Sequence, residues 1–226
     1  VTDVFYKGKL VDRNAPIRVK TCGRALKHTV HLDKVKAEQF VLPIGKKKTH
    51  VIGINPSQIT TEDLAVSLQP AANYVPTDGY SKVAAVERHH NTGKIGVAVA
   101  KGYGIRNGAV ASSVSHDSHN IIVIGDNDRD MALAVDEIIR TQGGYTVVEN
   151  GEVFETLPLP MSDAGFESVN ETLGRMIKKA HEMGVPADIE PFITLSFLAL
   201  PVIPTLRITP RGLCLLTAKG PEILQE

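Results

Sequence analysis

The stretch that decides the fold runs from residue 82 to residue 125 and reads KVAAVERHHNTGKIGVAVAKGYGIRNGAVASSVSHDSHNIIVIG. It contains four short runs rich in valine, isoleucine and alanine, and β-branched residues favour strands. The turns between the runs carry Asn91–Gly93, Gly102–Gly104 and Asn107–Gly108, which can supply the left-handed backbone of tight connections. The pattern therefore predicts four strands joined by short turns.

Downstream of this stretch, DNDRDMALAVDEIIRTQGG (126–144) predicts a helix with Asn127 as its N-cap and an end at Gly143 or Gly144. Asn150–Gly151 then predicts a tight hairpin. A second helix is predicted over SVNETLGRMIKKAHEMG (168–184), with Ser168 as the cap. The apolar segment PFITLSFLALPVIPTLRITPRGL (191–213) is compatible with either helix or strand.

Upstream, residues 1–55 predict short strands. A hairpin is expected at Lys7–Gly8, and strands are expected at KHTVHL (27–32) and THVIGIN (49–55). A proline-rich stretch follows, so we predict a boundary near Asn55 between a β-rich segment (1–55) and a larger domain (56–226). Strands outnumber helices, which predicts an α+β fold with mixed or antiparallel sheets and flanking helices.

The composition sets limits on function. Lysine plus arginine equals aspartate plus glutamate at 25 each, so no global field attracts nucleic acid or an anionic membrane. No apolar run approaches the roughly 20 residues of a membrane span. Two distant cysteines, Cys22 and Cys214, do not resemble a secreted disulfide framework, so we expect a cytoplasmic protein. The chain begins at Val1 without a methionine, and we expect it to be a piece of a longer protein.

A polar cluster interrupts the predicted core at SHDSHN (115–120). His116, Asp117 and His119 combine imidazoles and a carboxylate, which can act as acid and base or bind metal. The segment VERHH adds Glu87 and His89, which a neighbouring strand could bring to the same place. Three interpretations stay open: a functional site, a metal site within the chain, and polar groups that only satisfy strand ends. The segment GYGIRNG does not fit a dinucleotide motif, because Gly108 falls one position late.

Several long motifs resemble the C-terminal part of bacterial and archaeal adenine deaminases. They are RHHNTG (88–93), SSVSHDSHN (112–120), the QGG that follows the first helix, and TLSFLALPVIP (194–204), in the family's order. The resemblance covers about residues 40 to 213. The opening VTDVFYKGKLV is similar to the strand that returns from the barrel to the small β-domain in amidohydrolases of this kind.

The resemblance implies hydrolytic deamination of adenine to hypoxanthine and ammonia in purine salvage. It implies a divalent metal (manganese, iron or zinc) that lowers the pKa of a bound water and is held mainly by an N-terminal TIM barrel with an H-x-H pair. This chain has no H-x-H pair, so we expect the barrel to be a missing partner and the 226-residue piece to be inactive alone. A homo-oligomer is also expected.

Our hypothesis is that the polar cluster completes the adenine pocket at the barrel interface, with no metal ligand in this chain. His116, Asp117 and His119 are the predicted catalytic residues. The predicted substrate-binding residues are Glu87, Arg88, His89, Ser118 and Asn120. The alternative hypothesis is a non-catalytic purine-binding or oligomerisation module.

Overall fold

The computed structural model describes residues 2–12, 15, 27–45, 48–77, 79–159 and 165–224. Within these residues, three α-helices and a mixed eight-stranded sheet, with two small antiparallel sheets, confirm the α+β class. The helices are α1 (Asp128–Thr141), α2 (Phe166–Glu182) and α3 (Pro191–Leu198). The strands are β1 (Phe5–Tyr6), β2 (Lys9–Leu10), β3 (Thr49–Ile54), β4 (Thr61–Val66), β5 (Tyr80–Val86), β6 (Ile95–Lys101), β7 (Gly108–Ser112), β8 (Ile121–Gly125), β9 (Gly144–Glu149), β10 (Glu152–Pro158), β11 (Leu206–Thr209), β12 (Gly212–Thr217) and β13 (Gly220–Ile223).

The large sheet has the order β10-β9-β7-β8-β5-β6-β3-β4. All of its neighbours pair antiparallel except β3 and β6, which run parallel and pair at Ile52–Ala100 and Gly53–Lys101. The four strands predicted from residues 82–125 are β5 to β8, and they occupy the middle of this sheet. That prediction is confirmed.

Both faces of the sheet are covered, which explains why its central strands are almost uniformly apolar. One face packs on α1 and on residues 30–40, and the other packs on α2, α3 and the three-stranded sheet β11-β12-β13. Alternation within a strand still assigns the faces: Val83 and Ala85 belong to the second core, and Ala84 and Val86 to the first.

A buried lysine links three segments on the face of the sheet that packs on α1. Lys82 is 1% exposed, and its ammonium donates to the carboxylate of Asp128 (2.5 Å), the side-chain oxygen of Asn73 (2.7 Å) and the carbonyl of Phe40 (3.0 Å). A buried ammonium is tolerated only when its protons are satisfied, and here three acceptors come from three separate segments.

The predicted local signals are confirmed at several turns and caps. Asn127 caps α1, since its side-chain oxygen accepts the N–H of Asp130 at 2.8 Å, and the helix closes through left-handed Gln142. The hairpins at Lys7–Gly8 and Asn150–Gly151 have positive φ at both central residues. The undecided segment 191–213 contains both types of structure, with α3 followed by β11.

Three sequence predictions are wrong. Residues 27–32 form no strand; their backbone is tied to the sheet by single contacts such as His31 N–H to Arg88 O at 2.7 Å. Ser168 does not cap α2, because the helix begins two residues earlier with Gly165 as N-cap. The proline-rich stretch after Asn55, in which no strand is predicted, contains the edge strand β4, where exposed Glu62 and Asp63 interrupt the apolar pattern.

The predicted boundary near Asn55 stays a prediction; β3 and β4 on either side of it pair with each other in the large sheet. Cys214 is buried as a free thiol, and Cys22 lies outside the described residues. Across the described ranges, none of the helices has the length and apolar character that a membrane span requires.

Candidate functional site

The candidate site is the loop of residues 113–120, which joins the buried strands β7 and β8. Its position beside the end of β5 follows from strand register, because Val86 pairs with Ile121. The residues after Val86 therefore lie next to the residues before Ile121. This register brings the two predicted segments, VERHH and SHDSHN, together.

The backbone of this loop turns sharply at two residues that are not glycine. Asp117 has φ of 58° and His119 has φ of 48°, both in the left-handed region. The N–H of Ser118 donates to the carbonyl of His116 at 2.7 Å, and the N–H of His119 donates to the carbonyl of Ser115 at 3.0 Å. A left-handed non-glycine residue costs about 1–2 kcal/mol, less for aspartate, so contacts from outside the loop must hold this shape.

Arg88 and His89 supply two of those contacts. The Arg88 guanidinium donates through Nε to the carbonyl of His119 and through Nη1 to Thr29 Oγ1 at 3.2 Å. His89 Nε2 donates to the carbonyl of Ser118 at 2.8 Å, which fixes the proton on that nitrogen. Both side chains are half-buried and hold the loop from the β5 side.

Glu87 shapes the neighbouring turn. Its carboxylate accepts the N–H groups of His89 (2.6 Å), His90 (3.0 Å) and Thr92 (3.1 Å) and the Thr92 hydroxyl (2.9 Å). Burial raises the pKa of Glu87, but these four donors outweigh burial and hold the pKa at about 2, below the ordinary 4.5. The carboxylate is therefore ionised at neutral pH and its acceptor positions are filled.

Helix α3 holds the loop from the opposite direction. The N–H of His116 donates to Ser196 Oγ at 3.1 Å, and Ser196 is buried. The ring of Phe197 lies 4.6 Å from the imidazole of His116, measured between centroids, at an interplanar angle of 33°. The loop is thus fixed by side chains from two separate elements.

The side chains that the loop presents are open to solvent. His116, Asp117 and His119 are exposed, and Ser118 is half-buried with its hydroxyl 3.4 Å from that of Ser115. Asn120 is 8% exposed, and its side-chain oxygen has no hydrogen-bond partner. The arrangement is a rigid backbone that carries two imidazoles and a carboxylate outward, beside an unsatisfied buried acceptor.

Comparison with known proteins identifies the wider family. The family model described as "Adenine deaminase C-terminal domain" matches residues 58–219, most of the chain and the whole of the loop. The chain belongs to this family. The match begins before β4 and ends in the last hairpin, so it includes every contact described for this loop and the Glu87 turn except the one with Thr29.

Curated relatives agree with this family assignment. The chain is 48% identical to "Adenine deaminase" of Desulfitobacterium hafniense (strain Y51) over 216 residues, 93% of this chain. It is 44% identical to "Adenine deaminase" of Nitratidesulfovibrio vulgaris (strain DP4) over 94% of this chain, and 40% identical to "Adenine deaminase 2" of Carboxydothermus hydrogenoformans over 93%. The aligned part is only 38–39% of the length of these relatives.

Metal ligands within this chain would come from its histidine, cysteine, aspartate and glutamate side chains. Among the described residues, no group of three or more histidine, cysteine, aspartate or glutamate side chains could hold a metal ion. The Glu87 carboxylate accepts three backbone N–H groups and the Thr92 hydroxyl, and His89 Nε2 donates to the carbonyl of Ser118. The donor set in this part of the chain does not fit a metal centre.

Sequence reasoning missed some residues around the loop. Ser196 and Phe197 contact His116, yet they lie 80 and 81 residues from it in sequence. A serine within the mostly apolar helix PFITLSFL was the available signal. Thr29, which contacts Arg88, carried no signal. Glu87 and His90 line a cavity of about 380 Å³ together with residues of the β11–β12 connection.

Proposed function

We propose that this chain is the C-terminal part of an adenine deaminase, which hydrolyses adenine to hypoxanthine and ammonia. The observation that carries the proposal is the 48% identity to the D. hafniense adenine deaminase over 93% of this chain. Because the chain spans about two fifths of the relatives' length, the activity is proposed for the longer protein that contains it. The isolated 226 residues would be inactive.

His116, Asp117 and His119 are proposed to face the adenine pocket. Support comes from the contrast between a loop backbone fixed by Arg88 and Ser196 and side chains left exposed. An imidazole exchanges protons near neutral pH, and a carboxylate accepts a hydrogen bond from an amino group such as that of adenine. These are the functions that a reaction releasing ammonia requires.

The predicted substrate-binding residues would act in two ways. Ser118 and Asn120 lie on the loop itself, and the unpartnered oxygen of Asn120 is an acceptor for which a ligand or ordered water would provide the donor. Arg88, His89 and Glu87 are proposed to act through the shape of the loop and the adjacent turn, since each forms hydrogen bonds to backbone groups there.

The remaining proposals concern groups outside this chain. A divalent metal (manganese, iron or zinc) would be held by an N-terminal TIM barrel of the same protein. That barrel would be the partner of the loop face. A homo-oligomeric state and a cytoplasmic location are proposed with it.

Ammonia release from adenine tests the function. The complete protein is expected to release ammonia, residues 1–226 alone are not, and adding the separately prepared N-terminal part is expected to restore activity. A complete, metal-loaded protein that binds adenine without releasing ammonia would contradict the proposal and favour a non-catalytic purine-binding module. A complete protein that neither binds adenine nor releases ammonia, but whose subunits still associate, would favour an oligomerisation module.

The loop is tested by His119→Ala in the complete protein. Loss of a group that exchanges protons at the substrate should lower kcat/KM at least about tenfold. The matched control is His50→Ala, which removes another exposed histidine, on β3 and paired with Asp63 at 2.9 Å. Equal, small effects of both substitutions on kcat/KM, with only the melting temperature lowered, would assign His119 a structural function.

A further inference from the structure

Helix α3 is a fixed element of the core. Pro191 occupies its first turn, and the Glu190 carboxylate caps it by accepting the N–H of Ile193. Phe192, Leu195 and Leu198 are at most 2% exposed and belong to the core on the second face of the sheet. The helix therefore has little freedom to shift relative to β7 and β8, against which it packs.

Two adjacent residues of α3 meet His116 at different points. Ser196 accepts the backbone N–H of His116, which sets where the loop begins its turn. Phe197 packs its ring against the imidazole, and aromatic pairs at 4.6 Å between centroids have a defined relative orientation. The hydrogen bonds that Arg88 and His89 make to the loop, by contrast, go to backbone carbonyls at its far end, those of His119 and Ser118.

We infer that Ser196 and Phe197 are positioning residues that set the location and ring orientation of His116. The inference rests on the proposed function, in which His116 faces the adenine pocket. Of the contacts described for the loop, the Phe197 ring is the one that meets the His116 side chain itself. Because an exposed imidazole has several rotamers of similar energy, the Phe197 ring selects one of them.

The test is Phe197→Leu in the complete protein, with Phe197→Tyr as the conservative variant and Ile193→Ala as the control. Ile193 is on the same helix but 57% exposed, so its loss reports on a general change in α3. We expect Phe197→Leu to lower kcat on the order of 10–100-fold with little change in KM, because misplacement of a reacting group acts on the chemical step. Phe197→Tyr and Ile193→Ala should each keep kcat near that of the unsubstituted protein.

A second readout is independent of activity. In NMR spectra of histidine-labelled protein, the ring protons of His116 are assigned as the signals that disappear in a His116→Gln variant. The chemical shift that the Phe197 ring current imposes on them should be lost in Phe197→Leu and kept in Phe197→Tyr. Ser196→Ala should broaden or move the same signals. If the unsubstituted protein has no deaminase activity, the proposed function fails while the His116 signals still decide the positioning. Unchanged signals in Phe197→Leu, or equal loss of kcat in Ile193→Ala, would overturn the inference.

Discussion

Glu87 is a carboxylate whose ionised form is stabilised by hydrogen bonds in the folded chain. Donors from His89, His90 and Thr92 hold its pKa at about 2, against an ordinary 4.5. A carboxyl group with a depressed pKa stabilises the fold above its unfolded pKa, and this stability is lost as the pH falls toward the folded pKa. The relevant window is therefore pH 4.5 down to 2.

We predict that Glu87→Gln flattens the dependence of the free energy of unfolding on pH within that window. Urea denaturation at a series of pH values measures it. Glu62→Gln, at an exposed position on β4, is the control and should keep the slope of the unsubstituted chain. A slope in Glu87→Gln equal to that of the control would show that the four hydrogen bonds contribute nothing in solution.

Lys82 is a buried charged residue whose burial cannot be predicted from the local sequence. It is the third residue of β5, directly before the apolar run VAAV, and such a run gives no reason to expect an ammonium that is 1% exposed. Its acceptors, Phe40 O, Asn73 and Asp128, come from segments spread over 88 positions. Burial lowers the pKa of Lys82, while the hydrogen bond from its ammonium to Asp128 opposes that change.

At the scale of elements, close packing between sheets depends on glycine. A Cβ on Gly96 of β6 would lie 2.0 Å from the carbonyl oxygen of Thr209 and 2.5 Å from the backbone nitrogen of Gly212. The turn between β11 and β12 can approach β6 only because that side chain is missing. Gly174 in α2 has nothing within 4 Å of its Cβ position.

We predict opposite effects of the same substitution at these two positions. Gly96→Ala should destabilise the chain by about 1–3 kcal/mol or more, because the backbone of Thr209 and Gly212 must shift. Gly174→Ala should stabilise it by about 0.5–1 kcal/mol, because alanine loses less backbone entropy in a helix. Urea denaturation of both variants measures the difference. A neutral Gly96→Ala would mean that the three-stranded sheet is packed more loosely than described.

At the scale of the whole molecule, the first hairpin is apolar and uncovered. Phe5 and Tyr6 are each 67% exposed, and Leu10 is 61% exposed. A two-stranded hairpin is marginally stable alone, and an apolar surface of this kind is usually an interface. About three fifths of each relative lies outside the part aligned with this chain. We expect the surface that covers the hairpin to belong to that remainder.

We predict that amide hydrogen exchange of residues 5–10 is slower in the complete protein than in residues 1–226 alone. Amides of the buried strand β8 serve as the internal reference, since they are paired on both sides in either form. The loop of residues 115–120 should be protected together with the hairpin if both face the same partner. Equal exchange in the two forms would place the partner elsewhere.

Much of the architecture could be predicted from residues 82–151, because the signals there are local. Asn107, Asn150 and Gly151 specify turns, Asn127 specifies a helix start, and β-branched runs specify strands. The helix start at Ser168 was wrong, because a capping pattern within a helix looks the same as one at its end. Segment 191–213 stayed ambiguous, since apolar runs broken by prolines show no period that separates helix from strand.

The sequence by itself determined the α+β class, the central strands and the presence of two imidazoles and a carboxylate between β7 and β8. Only the tertiary structure decided that Arg88 and His89 hold the loop's carbonyls and that α3 contacts His116. Local structure follows from the preferences of neighbouring residues, which are written in order along the chain. Contacts such as Ser196 to His116 depend on strand register and helix packing, which many distant residues fix jointly.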